Sequence, residues 1–249
     1  FPALLVIYPL WKRDLRCLAG CLLGLVMGLI LIPTAVLGPQ RTRDYFEEWT
    51  DVLLRPALGK GEDHSRAKEL INVTATDSQA PVALIHNAIH PNRDERPVQA
   101  STGVRWAHRL IATALTVLTL LAGGWSRRSP SHREALTMGA LIVVMILASP
   151  VCHLHYFCLT LPLVIVLQAT ALKLENVGRR RYLFYGLMWA NILCTALPIF
   201  PGFDPLRDHG LATFGALLLW ASSLVVLRLQ KESPEQAGGT AAQTDAAAA

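Results

Sequence analysis

The chain has 249 residues, 52% of them hydrophobic and only 16% charged, with a net charge of +5. A soluble domain carries about a quarter of its residues as charges, and here the apolar residues come in long blocks separated by basic clusters. An ordinary soluble fold is excluded, and so is a nucleic-acid partner, because the cations sit at block edges where membrane topology accounts for them.

Lipid offers the backbone no hydrogen-bond partners, so the blocks are predicted to be helices. The expected fold is an all-α integral membrane protein, a polytopic helical bundle of about seven spans with a long extracytoplasmic loop. The spans are read at residues 1–11, 17–38, 106–125, 135–150, 156–173, 182–200 and 211–229. The first residue is Phe1, and "FPALLVIYPLW" reads as the second half of a membrane helix without the basic start of a signal peptide. The first span is therefore expected to be truncated and the chain to be the C-terminal part of a longer protein.

After the second span comes the segment 39–105, too long for a simple connector. It opens with "RDYFEEWTDVLLRPAL", in which Tyr45, Phe46, Trp49, Val52 and Leu53 fall at helical spacing while Asp44, Glu47, Glu48 and Asp51 repeat on another face. Such a helix lies in the membrane interface. Its acids are either a solvated face or an acidic wall over a substrate cleft. From Gly59 to Gly103 the segment reads as polar and rich in turns ("GKGEDHS", "HPNRDERP"), and "NVT" at 72–74 fits a glycosylation sequon. His86 and His90 have the i, i+4 spacing of metal ligands on a helix, but Pro91 follows and no carboxylate or cysteine partner is evident. No metal and no cofactor are expected.

Arg105, His108 and Arg109 are expected on one helical face at the outer edge of the third span. A charge inside an apolar block is costly and points to function. Arg109 either grips a phosphate bidentately or snorkels to the headgroups beside Trp106, an interface anchor.

The run from Ala135 to Leu172 contains no Asp, Glu, Lys or Arg. As one helix it would reach roughly 57 Å, nearly twice the hydrocarbon thickness, so it must fold back. The reversal is predicted at Ser149-Pro150, where proline disfavours helix in the residue before it. "SPVCHLHY" (149–156) is then a hairpin tip at a membrane face. On a helix His153 and His155 point about 200° apart; in an extended turn they share a side, yet no third metal ligand is near. Each histidine either contacts a hydroxyl or phosphate or satisfies its own turn.

The connections "KRDLR" (12–16), "SRRSPSHR" (126–133) and "KLENVGRRR" (173–181), with Arg228 and Lys231, all fall on one side of the predicted bundle. The positive-inside rule makes that side cytoplasmic. The tip 149–156, the loop 201–210 and the segment 39–105 lie outside. The low-complexity tail 230–249 is expected to be disordered and cytoplasmic. Cys17, Cys21, Cys152, Cys158 and Cys194 match no zinc or redox spacing and are read as small hydrophobes.

Three stretches, "FPALLVIYPLWKRDLR", the loop start "YFEEW" and above all "SPVCHLHY", resemble glycosyltransferase family 87. These are bacterial integral-membrane enzymes of the GT-C class that include polyprenol-phosphate-mannose-dependent mannosyltransferases. The family's Ser-Pro, followed about five residues on by a histidine beside a histidine or tyrosine, is matched by Ser149, Pro150, His155 and Tyr156. The family often has tryptophan at the position of His153, so no role passes to that residue. The resemblance implies a multi-pass protein of the bacterial inner membrane. Its donor would be a polyprenyl-phosphate sugar, mannose foremost, taken from the lipid bilayer. Its acceptor would be a hydroxyl of a lipid or glycan on the outer face. It makes His155 the acceptor or phosphate contact, Arg109 the leaving-group stabiliser, and Arg105 and His108 further phosphate contacts. The catalytic aspartate of GT-C enzymes lies in an early outer loop and is expected upstream of Phe1, which would leave this part inactive alone. The competing reading is a non-enzymatic membrane protein, a transporter or assembly subunit. A transporter usually carries charges or broken helices along a path, whereas here Gln168 and Asn191 are among the few polar side chains inside spans.

Overall fold

The computed structural model describes residues 2–55, 78–92, 94–125, 130–173 and 178–229; the sequon at 72–74, "GKGEDHS" and the tail 230–249 lie outside the described residues. Among the described residues the chain is helical throughout and contains no strand.

A 3₁₀ turn (Pro2–Val6) runs into α1 (Ile7–Trp11). A turn follows, with Arg13 in the left-handed region at φ 54°. Asp14 then caps α2 (Leu15–Val26), accepting from the amides of Arg16 (3.1 Å) and Cys17 (3.0 Å). The helix widens into a π turn (Met27–Leu31) before α3 (Ile32–Leu37). Pro33 explains the widening, since it has no amide to donate and its ring crowds the carbonyl one turn back. Gly38, at φ 86°, ends α3 in a conformation only glycine adopts readily, and Pro39 starts α4 (Pro39–Trp49), which continues as a π turn (Thr50–Leu54). In α4, Arg43 pairs with Glu47 and, beyond it, Arg55 with Asp51, each at 2.8 Å on an exposed surface. Two of the acids thus sit in i, i+4 pairs on a solvated face.

The stretch read as polar loop contains a helix, α5 (Pro81–Ile89), whose Val82, Ala83 and His86 are buried. Then come α6 (Thr102–Gly123), capped by Ser101, and α7 (Ser131–Leu147). A 3₁₀ turn (Leu154–Thr160) leads into α8 (Leu161–Lys173). The chain ends with α9 (Gly178–Ala196), the short α10 (Asp204–Asp208) and α11 (Leu211–Leu229).

The bundle forms around α7, which packs against α6, α8 and α11. From Leu136 to Leu147 almost every residue of α7 is buried, the pattern of a helix apolar on all sides. Gly139 brings α8 close: a Cβ there would lie 3.0 Å from the Cα of Leu163. The reversal predicted at Ser149-Pro150 is observed, with α7 ending at Leu147 and helix resuming at Leu154.

Among the described residues four helices are long and apolar enough to cross a membrane: Leu15–Leu37, Thr102–Gly123, Leu154–Leu172 and Leu211–Leu229. The other three expected spans are helical but shorter. Residues 2–11 form only a turn and α1; α7 has 17 residues and opens on the polar Ser131–Glu134; the apolar part of the sixth runs Tyr185–Ile199.

Hydrogen bonds sort the helix ends into two groups. At one end, Arg133 donates to the carbonyls of Gly123 (3.1 Å), Ala122 (2.5 Å) and Leu227 (2.8 Å), capping α6 and α11 with one guanidinium. Trp11 donates to Gly124, and His132 meets Thr170 at 2.9 Å. This end therefore gathers residues 11–16, 123–125 and 130–133 and the close of α8 and α11. At the other end, Gln79 is fully buried and ties three segments together. Its amide donates to Cys152 (2.6 Å), its side chain donates to the carbonyl of Arg207 (2.6 Å), and its carbonyl accepts from Thr213.

Candidate functional site

The candidate site is the second end, where the tip after α7, the start of α6 and the segment 78–100 meet. The tip is built by its sequence. Ser149 donates to the carbonyl of Val151 across the bend, Cys152 is buried, and the backbone is extended at His153 before the 3₁₀ turn begins. That extension puts His153 and His155 on one side, with rings 5.6 Å apart and 9° from parallel. Tyr156 sets its ring edge-on to both, at 5.7 Å from His153 and 4.5 Å from His155. His155 is exposed and Tyr156 half-buried, while Phe157 beneath them is 1% exposed and anchors the turn in the core. The result is a fixed cluster of three rings that can each exchange a proton or a hydrogen bond with a hydroxyl or an anion.

α6 reaches the same end. His108 is buried and its Nε2–H donates to the carbonyl of Leu147 (3.1 Å), the last residue of α7 and two residues short of Ser149. Arg105, His108 and Arg109 stand at i, i+3 and i+4 of α6, but only His108 turns in: it is buried and caps α7, so it does not join the two exposed arginines as a phosphate contact. Arg105 bonds Thr102 at 3.3 Å, and Arg109 lies with its guanidinium 5.1 Å over the ring of Trp106. Both are exposed, beside the exposed Leu110.

Gln79 and its neighbours are functional candidates that the sequence reading missed. Ser78 Oγ, Gln79 Oε1, His86 Nδ1 and Asn87 Oδ1 are buried without a hydrogen-bond partner among the described residues. His86 gives its Nε2–H to Pro97 at 2.8 Å, which leaves Nδ1 as an acceptor. The available signal was Pro81 ahead of "VALI", a helix start with an apolar run. His86 and His90 do lie together on α5, rings 4.8 Å apart, but among the described residues no three His, Cys, Asp or Glu side chains gather closely enough to hold a metal.

The family model described as Glycosyltransferase family 87 matches residues 1–150 of the 249. The chain belongs to glycosyltransferase family 87. The matched stretch contains α6 with Arg105, His108 and Arg109 and ends at Pro150, so Ser149 and Pro150 fall within it and His155 and Tyr156 beyond it. No curated protein and no solved structure matches the chain. Family membership together with the four membrane-length helices makes this a membrane protein of a glycosyltransferase family, whose chemistry requires a sugar donor and an acceptor.

Proposed function

We propose that the protein transfers a sugar, mannose foremost, from a polyprenyl-phosphate donor to an acceptor hydroxyl at the extracytoplasmic face of a bacterial inner membrane. The observation that carries this reading is the exposed His155, held in its ring cluster at the bundle end where Arg105 and Arg109 emerge. The acceptor hydroxyl attacks the anomeric carbon, the glycosidic bond to phosphate breaks, and polyprenyl phosphate leaves with the bonding electrons. His155 orients the hydroxyl or contacts the phosphate, and Tyr156 fixes its ring. Arg109, with Arg105, faces the negative charge growing on the leaving phosphate. Their position on an apolar outer surface suits a donor that arrives sideways from lipid. His108 acts one step removed, by fixing the tip to α6. The hydroxyl proton passes to a general base, the part a catalytic aspartate plays in GT-C enzymes, while residues 1–229 form the membrane part and 230–249 a cytoplasmic tail.

The test is His155→Ala in the full-length protein, assayed in membranes with a polyprenyl-phosphate sugar. Transfer should fall about a hundredfold or more, the range of a lost hydrogen-bond contact to developing charge, with membrane insertion unchanged. Near-normal turnover would leave His155 a residue of the turn alone. Arg109→Gln should lower turnover further than it weakens donor binding, because the charge it meets is largest in the transition state.

A further inference from the structure

The opposite end of the bundle holds a cavity of about 670 Å³ between the turn after α1 and the start of α7. Its polar lining is Tyr8, Lys12, Arg13, Arg16, Asp14 and Glu134. Three cations and two carboxylates thus line it, and Asp14 Oδ1 accepts the first amides of α2. Lys12 is 4% exposed and lies 5.6 Å from the ring of Tyr8. Tyr8 is 8% exposed, and its hydroxyl is buried with no hydrogen-bond partner among the described residues. A buried phenol without a partner costs stability, so a hydroxyl kept there points to a ligand that completes it.

The cavity is also held in shape. Arg13 occupies the left-handed region, a strained conformation that persists only where its surroundings fix it. Here its guanidinium lies 5.3 Å over the ring of Trp125, and Trp125 packs edge-on against Trp11 at 4.4 Å. Leu15 and Met138 add an apolar wall. Burial lowers the pKa of Lys12; Glu134 opposes that shift and Arg133 reinforces it. An added anion would act with Glu134.

We infer that this cavity binds the phosphate of an anionic membrane lipid, with Tyr8 donating to a phosphate oxygen, Lys12 and Arg16 supplying charge, and the acyl chains leaving past Leu15 and Met138. Basic pockets between membrane helices at the cytoplasmic surface hold such headgroups. The site is remote from the transfer end and does not depend on the transfer reaction.

The experiment is native mass spectrometry of the full-length protein released from bilayers of phosphatidylglycerol and phosphatidylcholine, for wild type, Tyr8→Phe and Arg16→Ala. Wild type should retain phosphatidylglycerol in preference, and each variant should lose about tenfold in that affinity, the worth of one charge-assisted hydrogen bond. Tyr8→Phe deletes a hydroxyl that bonds nothing among the described residues, so its melting temperature in phosphatidylcholine alone should be unchanged or higher; a purely structural Tyr8 predicts a fall. Equal retention of the two lipids, or wild-type retention by both variants, overturns the site. Stabilisation by inorganic phosphate in phosphatidylcholine, lost in the same variants, upholds the phosphate site and assigns it to a soluble phosphate rather than a headgroup.

Discussion

Cys152 and His155 stand three residues apart on one turn, and the fold treats them oppositely. His155 is turned out and Cys152 is fully buried against the core. Burial pushes the Cys152 thiol from its ordinary 9.0 up to about 12. Only the thiolate is nucleophilic, so Cys152 should resist N-ethylmaleimide at pH 8 in the folded protein and react once the protein is denatured. Peptide mass spectrometry reads the result, and equal labelling in both states would refute the burial. The pH consequence has a definite sign. The unfolded thiol ionises near 9.0 and the folded one near 12, so this group's contribution is intact below pH 9 and is lost progressively as pH rises towards 12. Cys152→Ala should remove that share of any alkaline destabilisation. The sequence made Cys152 readable as a small hydrophobe, because thiols in apolar blocks without a pairing pattern are packing residues. It did not make His108 readable. Whether His108 faces a ligand or a carbonyl depends on where α7 ends beside it, 39 residues along the chain.

At the scale of elements, the hairpin of α7 and α8 was legible because two local rules agree: an uncharged run too long for one crossing, and a proline where it must turn. The closeness of its arms was not, since it depends on which residue meets Gly139. Alanine at 139 would place its Cβ 3.0 Å from the backbone of Leu163, so the helices must move apart. Overpacking costs about 1–3 kcal/mol, against a gain of up to about 1 kcal/mol from replacing glycine within a helix. Gly139→Ala should therefore lower the melting temperature in detergent. Gly20, with no neighbour within 4 Å, supplies the comparison, and Gly20→Ala should leave stability level or raise it. Equal effects at the two positions would mean that α7 and α8 are not in this contact. Helix α5 marks the opposite case. Its nine residues are too few to hold a helix by propensity, and they are held by burial of Val82, Ala83 and His86, inside a stretch that reads as polar loop.

For the whole molecule, the arrangement of ends decides what each site can meet. Residues 11–16, 123–125, 130–133 and the closing turns of α8 and α11 share one end through Trp11, His132 and Arg133; residues 78–92, 94–108, 147–157 and 207–213 share the other through Gln79 and His108. Lys12, Arg13, Arg16, Arg133 and Arg228 lie at the first end, which the proposed orientation turns to the cytoplasm. Orientation can be read with single cysteines in the full-length protein, scored above the labelling of the native ones. Val98→Cys sits at the second end and Ser131→Cys at the first, both at exposed positions. A membrane-impermeant maleimide should label Val98→Cys in intact cells and Ser131→Cys only after the membrane is opened. The reverse pattern would turn the protein over, placing His155 in the cytoplasm and removing the reason to expect a lipid-linked sugar from the outer leaflet. With the expected pattern, the ring cluster and the phosphate cavity face opposite leaflets, separated by a hydrocarbon layer of about 30 Å. One anionic lipid cannot span that distance with its headgroup. Phosphatidylglycerol bound beside Lys12 would then leave Arg109 free for the donor phosphate, and the two phosphates would not compete.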